Sequence, residues 1–171
     1  DFSDDGDWIQ SNCGAYELLF FNANTGEHQT SATAMKDVEW GTQTCALGWG
    51  VQGIWPPVPD GTSVNAVDRS ASGRLLITSD NFGRLKMFRY PCVTKGAAYN
   101  EYRGHGAQVR KVRFANGDSH VISIGGDDKC VLQWRLDPDD DSDDAEIMDD
   151  DAESEGGGLD FLDGEALDRT K

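Results

Sequence analysis

GGDDKCVLQW, residues 125–134, sets two glycines and two aspartates ahead of an alternating apolar run that ends at Trp134. The period of two in CVLQW marks a strand with one face turned to a core, and the GGDD cluster marks the turn that starts it. Asp128 therefore stands in a turn, six residues before an aromatic at the far end of a strand. Recurrence decides whether this is a local accident or part of an architecture. Three segments superpose: DDGDWIQSNCGAYELLFF ending at Phe21, SGRLLITSDNFGRLKMF ending at Phe88, and NGDSHVISIGGDDKCVLQW ending at Trp134. In the first two, a turn glycine (Gly6, Gly73) precedes the terminal aromatic by 15 residues; in the third, Gly117 precedes Trp134 by 17.

Working outward, the runs DWIQS, YELLFF, VNAV, RLLITS, RLKMF, VRKVRF, HVISI and CVLQW are short, β-rich and separated by Gly, Pro and Asn. Those are strands. No stretch of 1–136 carries the i, i+3, i+4, i+7 apolar stripe of an amphipathic helix, so the class is all-β. Phe88 and Trp134 are 46 residues apart, close to the roughly 40–45 of a propeller blade repeat. Phe21 and Phe88 are 67 apart, which leaves an insertion within the Trp/Pro-rich stretch 36–61. Three of the five tryptophans (Trp40, Trp49, Trp55) lie there.

The pattern fits a WD-repeat blade. There a Gly-His before the first strand, an aspartate between the second and third, and a tryptophan ending the third are brought together; here they are His105, Asp128 and Trp134. A carboxylate accepts from an imidazole, and an imidazole or hydroxyl meets an indole N–H, so each buried polar group gains a partner. The expected role is structural. The usual hydroxyl position, ten before the aromatic, holds Ser11 and Thr78 in two copies but Ile124 in the third, with Ser123 beside it. The expected fold is an incomplete WD-repeat β-propeller sector of about two and a half blades. It comprises the last three strands of one blade, one whole blade and the first three strands of another, with the final strand of the last blade missing.

Composition divides the chain. From Asp137 onward there are 16 acidic and 2 basic residues, net −14, which leaves 15 acidic and 13 basic residues in 1–136, net −2. The domain reading is therefore 1–136 as blades and 137–171 as an acidic, disordered tail, too poor in apolar groups to order itself. Within LDFLDGEAL (159–167), Leu159, Leu162 and Ala166 would share one face of a helix docked on a partner, but Gly164 disfavours a free helix there. Beginning at Asp1 on DFSDDGDW, the chain reads as a fragment with an upstream part expected. It shows no signal sequence, no apolar run long enough to span a bilayer and no Asn-x-Ser/Thr, so neither secretion nor membrane insertion is expected. Cys13, Cys45, Cys92 and Cys130 are too sparse for a disulfide scaffold and read as reduced, mostly buried thiols.

No catalytic constellation is expected: the Asp128–His105 pair lacks a recognisable nucleophile and oxyanion donor, and no GxGxxG or GxxxxGK[ST] implies a cofactor. The three histidines are too scattered for zinc, and DPDDDSDD lacks the Gly and Glu of an EF-hand loop. A near-neutral body without interleaved basic and aromatic residues argues against nucleic acid. Arg84, Lys86 and Arg89 along one strand, and Arg103, Arg110, Lys111 and Arg113 near the last blade, form a candidate partner surface for an acidic protein. Trp40, Trp49 and Trp55 are candidates for a peptide-docking ridge, weighed against packing of the insert onto its own blade.

GAYELLFF (14–21), KDVEW (36–40), VQGIWPP (51–57) with DGTSVNAVDRS (60–70), FRYPC (88–92) and the blade from Gly104 to Arg135 together resemble the C-terminal end of the echinoderm microtubule-associated protein-like (EMAP-like) family. The resemblance covers 1–136. It implies a portion of a fused, atypical β-propeller that acts as a tubulin- or microtubule-binding scaffold in the cytoplasm and cytoskeleton. The alternative is a generic WD-repeat adaptor with a different protein partner.

Overall fold

The eight apolar runs all become strands, because alternating side chains on a β-strand let one face join a core while the other meets water or a second layer. The structure is a computed structural model describing residues 1–58 and 60–137, with the backbone of 159–161. Among the described residues, eleven strands form three antiparallel meanders. Blade 1 holds β1 (Trp8–Asn12), β2 (Leu18–Asn22) and β3 (His28–Gln29). Blade 2 holds β4 (Val64–Arg69), β5 (Leu75–Asp80), β6 (Arg84–Arg89) and β7 (Asn100–Arg103). Blade 3 holds β8 (Val109–Ala115), β9 (His120–Gly125), β10 (Val131–Leu136) and β11 (Leu159–Phe161). The helical residues among those described are two 3-10 turns, Ala32–Met35 and Trp49–Ile54.

One expectation is corrected here. The last blade does not lack its final strand: β11 runs antiparallel to β10, with Trp134 opposite Phe161 and Leu136 opposite Leu159. Leu159 begins that strand. An open row of main-chain donors and acceptors on β10 supplies the physical reason. The remaining tail, and the disorder expected of it, lies outside the described residues.

The repeat is visible in hydrogen bonds. The Ser3 hydroxyl accepts from the Trp8 amide at 2.9 Å and the Ser70 hydroxyl from the Leu75 amide at 3.0 Å. The Gly6 and Gly73 amides donate to the Ser3 and Ser70 carbonyls in the same way. Blade 3 departs because its first turn is wider, with positive φ at Asn116, Gly117 and Asp118. That turn reaches back to blade 2, where the Asp118 carboxylate accepts from the amides of Ala71 and Ser72, both at 2.7 Å. The two-residue slip thus makes an inter-blade clamp.

Every residue of β5 is buried, unlike the alternating β9 and β10. One face of β5 carries Leu75 and Ile77 into a core with Leu85 and Met87 of blade 2 and Val112, Val121 and Trp134 of blade 3. The other face places Leu76 in a second core with Val51 and Ile54 of the insert, Phe88 and Cys92. The insert is therefore a lid on the far face of blade 2. A third core joins Phe20 to Met35 and Trp40, the two rings stacked at 5.9 Å.

Candidate functional site

The residues of the opening motif meet at one node in blade 3. His105 follows β7 and precedes β8, Asp128 lies in the β9–β10 turn, and Trp134 sits on β10. His105 Nδ1 is 2.8 Å from Asp128 Oδ2, and His105 Nε2 is 2.7 Å from Ser123 Oγ, which accepts from Trp134 Nε1 at 2.8 Å. A carboxylate only accepts and an indole only donates, so for a neutral imidazole the chain of donors runs one way. Nδ1–H donates to Asp128, the Ser123 hydroxyl donates to Nε2, and the indole N–H donates to Ser123. Ser123, eleven residues before Trp134, supplies the hydroxyl that Ile124 lacks, so the third copy carries a full set.

The backbone is shaped to the same node. A Cβ on Gly125 would occupy the space of the Asp128 carboxyl, and one on Gly104 would lie 2.6 Å from the Trp134 ring. Burial of Asp128 pushes its pKa up, but the Cys130 amide, the His105 imidazole and the Gly106 amide outweigh burial and hold it below the usual carboxylate range. Asp, His and Ser stand in the order of a hydrolase triad. Yet Ser123 is wholly buried and its oxygen is occupied by an indole N–H, so no carbonyl has access to it.

Most of the candidate basic surface is engaged internally. Arg84 pairs with Glu101 at 3.2 Å, Arg103 with the same Glu101 at 2.7 Å, Lys86 with Asp60 at 3.4 Å and Arg113 with Asp68 at 3.0 Å. Lys86 also lies over the Tyr99 ring, and Arg89 makes its own contacts. Arg110 and Lys111 are exposed and have no ion pair among the described residues. Arg110 is the bulged residue of β8, between the paired Val109 and Lys111. The insert's tryptophans are tied down: Trp49 Nε1 donates to the Ala32 carbonyl and Trp55 Nε1 to the Ala46 carbonyl. Trp55 packs on the second core, edge-on to Tyr16.

One set of residues was not singled out in the sequence. Asp68 on β4 accepts from the Phe114 amide at 2.8 Å and from Arg113, bridging blades 2 and 3. Burial is the largest influence on Asp68 and raises its pKa despite the Phe114 amide and Arg113. Asp1, at the matching place one blade earlier, accepts from the Thr44 and Cys45 amides at 3.0 Å. The signal was present as the shared Asp-x-Ser of DFSDDG and DRSASG. Clefts of about 490 Å³ beside β1 and about 310 Å³ between the first turns of blades 2 and 3 flank these carboxylates.

The antiparallel meanders stacked face to face, each pinned internally by buried polar groups, define a segment of a WD-repeat β-propeller scaffold. The crystal structure of the Myceliophteria_thermophila Cps50 (Swd1) beta-propeller domain superposes with TM-score 0.59 at 12% identity, over 94% of this chain and 55% of that one, and shows the fold alone. The family model for the echinoderm microtubule-associated protein second beta-propeller matches residues 1–136, and the chain belongs to that family. Echinoderm microtubule-associated protein-like 2 of Rattus norvegicus is 45% identical over 136 residues. The like-3 protein of Homo sapiens is 42% identical over 137 and the like-1 protein of Mus musculus 41% over 136. Each match covers 80% of this chain but only 21%, 15% and 17% of the relative's length. The stretches around VQGIWPP and FRYPC are the two sides of one contact: the Gly53 amide donates to the Cys92 carbonyl at 2.7 Å, and the Cys92 amide to the carbonyl of Gly50, just before VQGIWPP, at 2.8 Å.

Proposed function

We propose that this chain is part of a cytoplasmic, microtubule-directed scaffold that binds tubulin through a protein surface and carries out no chemistry. The observation that carries the reading is the match of 1–136 to a family whose members are named for microtubule association. On this reading His105, Ser123, Asp128 and Trp134 hold the last blade together. The partner surface centres on Arg110 and Lys111, the exposed cations of the candidate set that make no ion pair among the described residues. Arg84, Lys86, Arg103 and Arg113 contribute less, because each already has a carboxylate.

The tail bears on the same surface. A segment of net −14 beside a body of net −2 repels an acidic partner and competes for the cations it would contact. Co-sedimentation with tubulin tests both points. Arg110→Glu with Lys111→Glu is expected to weaken binding, and removal of 137–171 to tighten it at low salt. The two tail states should converge near 1 M salt, where the Debye length is about 3 Å. Binding lost on tail deletion would make the tail a recognition element. Absence of tubulin binding in every form would favour the adaptor reading with a different protein partner.

A further inference from the structure

Blade 3 differs from blade 2 in the origin and register of its outer strand. In blade 2, β6 ends at Arg89, and β7 begins at Asn100 and covers the first four residues of β6, from Arg84 opposite Arg103 to Met87 opposite Asn100. In blade 3, β10 ends at Leu136, and β11 begins only at Leu159 and covers the last three residues of β10: Trp134, Arg135 and Leu136. With Trp134 set on Phe88, the stretch that β7 covers in blade 2 corresponds to the part of β10 before Trp134. There β11 makes no pair, and Val131 is 66% exposed.

We propose that the outer edge of β10 is a strand-acceptor site and that Leu159–Phe161 is its resident, displaceable occupant. The bonds are main-chain bonds, so the site accepts any extended segment that can run antiparallel to it. Register is defined, with Asp160 opposite Arg135 and Trp134 and Leu136 opposite Phe161 and Leu159. The tether places this strand at an effective concentration of order millimolar, so free segments are excluded while it is seated. The short overlap makes the seat releasable. The tail thereby guards an edge that would otherwise pair with other chains.

Alternation specifies where the test reads out. The Leu136 amide donates inward to the Ser119 carbonyl, so the neighbouring Arg135 amide points to β11, and Gln133 points the same way beyond its reach. Amide exchange of the full chain is therefore expected to show Arg135 protected and Gln133 fast. Asp160→Pro removes the opposing N–H and should raise Arg135 exchange at least tenfold without changing the β5 amides. A labelled peptide GGLDFLD, residues 157–163, should bind this variant at least tenfold more tightly than the unaltered chain. The double variant Leu159→Gly, Phe161→Gly gives the same reading without proline. Equal Arg135 exchange in all three chains, or a peptide that binds all alike or none, would overturn the proposal.

Discussion

Asp128 offers the sharpest measurement of what a single side chain does in this fold. Asp128→Ala leaves the His105 N–H without its acceptor and is expected to cost about 1–3 kcal/mol in urea unfolding. An unchanged midpoint would remove its structural role. Its pH dependence has a definite sign. A pKa held below the ordinary value of about 4 gives stability that is complete above that value and lost as pH falls through the folded-state pKa. Asp128→Asn should therefore destabilise more at pH 7 than at pH 3. Asp68, whose pKa burial raises, acts in the opposite sense: its contribution is full below the ordinary value and lost as pH rises through the folded-state pKa. The cysteines correct one expectation, since Cys13 and Cys130 are exposed and only Cys45 and Cys92 are buried. Burial pushes the Cys92 thiol up to about 11 and raises that of Cys45. Alkylation of the folded chain at pH 7 should label Cys13 and Cys130 and spare the other two.

The elements that were legible from sequence are those whose burial imposes a period. The eight inner strands alternate or run apolar because they face a neighbouring blade or the insert. The outer strands β3 and β7 were implied by the blade count but not located, and β11 was not expected: HQ and NEYR are polar, lie at the blade rim and are held by main-chain bonds that leave no side-chain pattern. Likewise, the basic residues looked like one patch because their partners, Glu101, Asp60 and Asp68, are brought close only by cross-strand and inter-blade pairing. The insert was legible as an insertion but not as a lid. Gly53 shows how closely it docks, for a Cβ there would collide with the Thr94 carbonyl and lie 2.6 Å from Cys92 Sγ. Gly53→Ala should cost about 1–3 kcal/mol as an overpacked contact, whereas Gly14→Ala, in open space, should stay within about 0.5 kcal/mol in the same thermal melts.

At the scale of the whole molecule, matching positions in two blades have opposite exposures. With Trp134 set on Phe88, Ile77, Ser79 and Leu85 of blade 2 correspond to Ile122, Ile124 and Val131 of blade 3. The first three are at most 1% exposed beneath blade 3; the second three are 36%, 44% and 66% exposed. The free face of blade 3 is thus built like a face made to be covered, and residues 1–136 alone are expected to self-associate. Ile124→Lys with Val131→Lys should abolish that association in sedimentation experiments. A purely monomeric 1–136 with a cooperative melt would contradict it.

The Asp68–Arg113 bridge gives this stacking a direction. Blade 2 presents the carboxylate and blade 3 the guanidinium, so the contact is heterologous, joining unlike faces head to tail. Such contacts do not saturate at a pair. They propagate until the accumulated rotation closes a ring, and otherwise continue as an open filament, so self-association of the sector should appear as a ladder of sizes, not as a single dimer.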